Sequence, residues 1–123
     1  MHMKIGKYSG LFLVMTGILH TIIALLLNWK VYLDIIADGL INSIGREYDR
    51  AFAFWFLICG VLIIFFGQTL HYYQRRTQTP APLFLGYSML IFAIVGCVIH
   101  PASGFWLFLP QALIIIIANK KYA

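Results

Sequence analysis

The sequence predicts an all-α integral membrane protein, a single up-down-up-down four-helix bundle over residues 1–123. Three observations carry this. First, 62% of the 123 residues are hydrophobic and 11% are charged, with a mean hydropathy of +0.87, which leaves too little polar surface for a water-soluble domain of this size. Second, apolar stretches cover residues 9–27, 51–71, 82–100 and 105–118, and a helix of roughly 17 to 25 residues crosses the hydrocarbon core of a bilayer. These runs do not alternate in polarity, which argues against strands. Third, charge is sorted by connection. Lys4 and Lys7, then Arg75 and Arg76, then Lys120 and Lys121 fall on one side of a four-span chain without an acid among them. Lys30, Arg46 and Arg50 share the other side with every acid, Asp34, Asp38, Glu47 and Asp49. The positive-inside rule then puts both termini in the cytoplasm. The same distribution accounts for the net charge of +5 and is not that of a nucleic-acid surface, because the cations are spread over separate membrane edges.

The first span follows two lysines, as a signal peptide would. Its apolar run is longer than a signal h-region and no A-x-A site follows, so it is expected to stay as a helix. Gly10, Gly17, Thr21 and Ala24 form a small-residue stripe along it. The second span repeats Ala53, Gly60 and Gly67 at sevens, and the third Gly86 and Ala93, with His100 one heptad further. Such stripes let membrane helices approach closely. Which stripe faces inward is left open, and a homodimer through one of them is an alternative.

The connection after the first span is long for a bundle. Leu33, Ile36, Leu40 and Ile44 recur at helical spacing opposite Lys30, Asp34 and Asp38, and Trp29 suits the interface. An amphipathic helix over residues 29–44 on the outer surface is expected, weakened by Gly39 and ended by Gly45, serving as a lid or as a connector. Pro82 can start the third span and Pro101 stops it after His100. The fourth is short and gains length if its helix begins in the Ser103–Gly104 turn. Cys59 and Cys97 sit at depths differing by roughly 8 Å on straight helices, too far for a disulfide, and read as buried apolar thiols.

His20 is the outstanding polar residue, in Gly17–Leu27, GILHTIIALLL. Gly17, Thr16, Thr21 and Ala24 surround it on the helix, which turns it toward other helices and away from lipid. By depth, its companions toward the outer half are Arg50, Trp55, His100, Ser103 and Trp106, with Gln111 near mid-membrane, where it reads as glue between helices. Two readings stand side by side: an outer-half cavity for a lipid-like, quinone-like or anionic amphiphile, or hydrogen-bonded glue between helices. For Arg50 a lipid phosphate contact is the plain alternative. His71, beside Tyr72, Tyr73 and Arg75, reads as an anchor at the cytoplasmic interface.

No cofactor is predicted. Two histidines and no carboxylate within a span fall short of a zinc site. A haem between His20 and His100 would have to bridge depths roughly 9 Å apart. A proton-coupled exporter would need an embedded carboxylate. No Ser or Cys stands at a recognisable spacing from a base.

Three segments, GLFLVMTGILHT (10–21), RAFAFWFLICG (50–60) and PASGFWLFLP (101–110), resemble the marks of an uncharacterised family of small four-span bacterial membrane proteins, with AFxFWFxxxG and PxSGFWLxLP patterns. The resemblance implies the four-helix topology and a bacterial inner membrane, and implies no activity. It would place an apolar residue at His100. The function classes carried forward are a ligand-binding membrane protein, a structural or interaction subunit that forms homo-oligomers, and a haem- or redox-associated protein.

Overall fold

A computed structural model describes residues 6–122; Lys4, one of the charges that set the orientation, lies outside them. Among the described residues there are five α-helices and no strand. Helix α1 is Ser9–Leu27, α2 Trp29–Ala37, α3 Tyr48–Thr77, α4 Leu83–Ile99 and α5 Phe108–Tyr122, with a 3-10 turn at Gly104–Leu107 before α5.

Asn28 closes α1, its side-chain amide and backbone N–H both donating to the Ala24 carbonyl at 3.1 Å, and α2 starts at the next residue. Helix α2 stops short of the expected residue 44. Gly39 has φ +96°, and Leu40, Asn42 and Gly45 are also left-handed, a backbone that cannot continue a right-handed helix. The apolar stripe read from the sequence lies on the face turned away from α3. Leu33, Ile36 and Leu40 point outward, while Ile35 is buried. The reason is that α2 leans on α3, with the Tyr32 hydroxyl donating to the Ala53 carbonyl at 2.7 Å. Burial, opposed by Asn28, holds the Tyr32 phenol above its ordinary pKa, so it stays a neutral donor.

Helix α3 has 30 residues, overrunning the expected 51–71 at both ends. Asp49 in its first turn and Arg75 and Arg76 in its last complement the helix dipole. The last apolar segment is not one helix: the Ser103 hydroxyl caps the 3-10 turn by accepting from the Phe105 N–H at 3.3 Å, and α5 follows. By length and composition two helices, α1 and α3, could cross a membrane unaided; α4, at 17 residues, is apolar but shorter.

The helices pair as two antiparallel hairpins. In the first, α1 and α3 meet backbone to backbone: a Cβ on Gly17 would lie 2.7 Å from the Ile64 nitrogen, and one on Gly67 2.6 Å from the Val14 nitrogen. Ala24 and Ala53 are fully buried at its far end. In the second, α4 and α5 pack with Gly86 against Ile115 and Ile116 and Gly96 against the Phe105 ring. The rings of Phe92, Phe105 and Phe108 meet edge-on or tilted at 5.1 to 6.4 Å. The hairpins join around Leu13, Leu70, Ala81, Met89, Ala112 and Ile115. This junction lies toward the end bearing Ser9, Gln74 and Lys120, called here the inner end.

Candidate functional site

The seven residues singled out by the sequence occupy separate places, and among the described residues they form no hydrogen bond, ion pair or ring contact with one another. His20 sits across from Phe56. Its Nε2 lies 3.0 Å from the Phe56 carbonyl and its ring stacks on the Phe56 ring at 4.4 Å. A carbonyl only accepts, so Nε2 carries the hydrogen. Gly60 makes the room: a Cβ there would come within 3.1 Å of both His20 Cδ2 and the Thr21 nitrogen. Arg50 is committed to its own connection. It pairs with Asp38 at 2.7 Å and Glu47 at 2.9 Å and donates to the Ser43 carbonyl at 2.6 Å.

Trp55 is exposed, edge-on to Phe54 at 5.3 Å. Trp106 is also exposed, and its indole N–H donates to the Pro101 carbonyl at 2.7 Å. With the Ser103 cap, this bond folds the PASGFWLFLP segment into a turn on itself. His100 does not extend the small-residue stripe. Helix α4 ends at Ile99, and His100 is its exposed cap, with its backbone N–H bonded to the Gly96 carbonyl at 2.8 Å.

Gln111 acts as a tie between helices, on a partner at the inner end: it is fully buried at the junction and donates to the Ser9 carbonyl, in the first turn of α1, at 2.9 Å. The Oε1 of Gln111 has no partner.

The inner end holds the polar interior that sequence reasoning missed. Gln74 is 1% exposed. Its amide nitrogen donates to the Gly6 carbonyl at 2.7 Å and the Ser9 hydroxyl at 2.8 Å, and its oxygen accepts from the Gly10 N–H at 3.1 Å. The signal was present: Gln74 is the next member of the series Ala53, Gly60, Gly67, a polar residue on a packing stripe. At the inner end of the second hairpin, Asn119 donates to the Ala81 carbonyl, just before α4, at 2.6 Å.

A groove of about 580 Å³ opens beside this network, between α1 and α3. Leu11 and Val14 form its apolar wall; Gln68, His71, Tyr72, Arg75 and Arg76 form the other. These α3 residues recur at i, i+3/i+4 and i+7/i+8, which is one helical face. His71 keeps a buried Nδ1 without a partner. Arg75 and Arg76 make no ion pair among the described residues. Cys59 is exposed, contrary to expectation, and Cys97 is buried; both are free thiols. Among the described residues no three His, Cys, Asp or Glu side chains gather where a metal could sit.

These features define an all-helical protein with two helices able to span a membrane. Over residues 4–122 the chain matches a family of unknown function, DUF6463, and it belongs to that family. No curated protein and no solved structure matches it.

Proposed function

We propose that the chain is a four-span protein of the bacterial inner membrane, with cytoplasmic termini, and that it acts as a structural or interaction subunit whose intramembrane polar residues lock helices together. The observation that carries this is His20: its Nε2 is engaged by the Phe56 carbonyl and its ring by the Phe56 ring, both within the first hairpin. A histidine so held is helix glue, a bond worth about 1 kcal/mol in a membrane.

Lengths support the four spans. Helix α4 rises about 26 Å, and the 3-10 turn with α5 about 30 Å, because 3-10 residues rise about 2.0 Å each. Both suit a hydrocarbon core of about 30 Å when flanking residues adapt. The outward-facing residues support a lipid surround: Leu26, Phe65, Ile91, Val98 and Ile99 are all exposed.

The test is native mass spectrometry of wild type and His20→Ala in mild detergent. A change in oligomeric state or stability, with no adduct lost, supports the subunit reading. Loss of a discrete adduct that wild type carries sinks it and restores an outer-half binding site around His20, Arg50 and Trp106.

A further inference from the structure

We propose that the groove between α1 and α3 is a binding site for the phosphate headgroup of an anionic glycerophospholipid. The inference goes beyond the subunit reading and rests on its membrane placement.

Shape comes first. A volume of about 580 Å³ is that of a small-ligand site, enough for a headgroup and glycerol and too small for two acyl chains as well. The chains have a path out. Leu11 is part of the groove wall and is itself exposed, as are Met15 and Ile18 further along α1. Chemistry comes second. The groove is apolar on the α1 side and cationic on the α3 side, and Arg75 and Arg76 are exposed with no carboxylate paired to either among the described residues. All four acids of the chain lie in residues 34–49, before or in the first turn of α3, far from its last turn. Guanidinium forks match phosphate oxygens in two-point geometry. Tyr72 and Gln68 add neutral donors one and two turns back along the same face.

One effect opposes binding. The C-terminus of α3 carries a negative partial charge of about half a unit. Two full positive charges at the same turn outweigh it. Free phosphate would be held by the arginines alone and would leave the Leu11 and Val14 wall uncovered, so the lipid is the occupant that fits the whole groove.

The experiment is native mass spectrometry after exchange of the full chain into nanodiscs of phosphatidylglycerol or of phosphatidylcholine, comparing wild type, the double variant Arg75→Gln/Arg76→Gln and the charge-matched control Lys30→Gln/Arg46→Gln. Wild type is expected to retain one phosphatidylglycerol in preference to phosphatidylcholine. The groove variant should lose that preference by roughly tenfold or more, and the control should keep it. Circular dichroism checks that each variant is helical, and Leu11→Asn, which leaves the charges in place, gives a second route to weaken retention. Absence of headgroup preference in wild type, or equal loss in the control, overturns the proposal. Displacement of the retained lipid by millimolar inorganic phosphate overturns the choice of lipid.

Discussion

The two ends of the molecule are built on different principles. At the inner end three buried polar side chains, Ser9, Gln74 and Gln111, tie α1, α3 and α5 through one another and through the backbone of the first segment. At the outer end the contacts stay within each hairpin or its own connection: His20 on Phe56, Arg50 on Asp38 and Glu47, Trp106 on Pro101. Lipid gives helices no hydrophobic reason to associate, so association follows close packing and hydrogen bonds. The hairpins join where those are supplied.

The comparison can be broken by substitution, and steric damage should be largest. Gly67→Leu puts a side chain against the Val14 backbone, which cannot turn aside. It should cost about 3 kcal/mol, at the upper end of overpacking effects, seen as a lowered thermal midpoint in detergent. Gly104→Leu, with nothing within 4 Å of its Cβ, is the outer-end control and should leave the midpoint nearly unchanged. Gln74→Leu comes next, removing three bonds from the inner network at a cost of about 2 kcal/mol. A loss no larger than that of His20→Ala, expected at about 1 kcal/mol, would show that the inner end has no special weight.

Gln111→Leu sharpens the point from the opposite direction. It removes one bond but also an acceptor buried without a partner. Because an orphaned buried acceptor is itself costly, the change should fall within about 0.5 kcal/mol of neutral. Smallest of all is Arg50→Gln. It should leave the thermal midpoint in place while amide hydrogen exchange rises in residues 38–47, the connection that Arg50 ties down.

Part of the fold was legible because small residues at sevens mark where helix backbones can approach closely. Gly10 and Gly17 pack against Gly67 and Gly60, and Ala24 is buried further along α1. The candidate site was less legible. Grouping residues by depth set Gln111 beside the outer-half residues, whereas its amide bonds the Ser9 carbonyl at the inner end. Exposure also misled. Trp55 and Trp106 sit near the right end but face outward, and depth along a helix does not fix rotation about it. The left-handed backbone at Leu40 had no cue, whereas Asn42 is a residue type that adopts it readily. The arginine-lined groove was readable from the spacing of Gln68, Tyr72 and Arg76, but those residues looked like an ordinary interfacial edge.

The bond between Ser9 and Gln111 spans 102 positions of the chain. During synthesis the N-terminal residue of that pair emerges long before its partner exists. The first hairpin can zip from its own glycines, while the second must form before the junction can close. Assembly therefore finishes at the inner end, and a chain truncated before α5 would leave the Ser9 carbonyl waiting and the two halves of the protein unjoined.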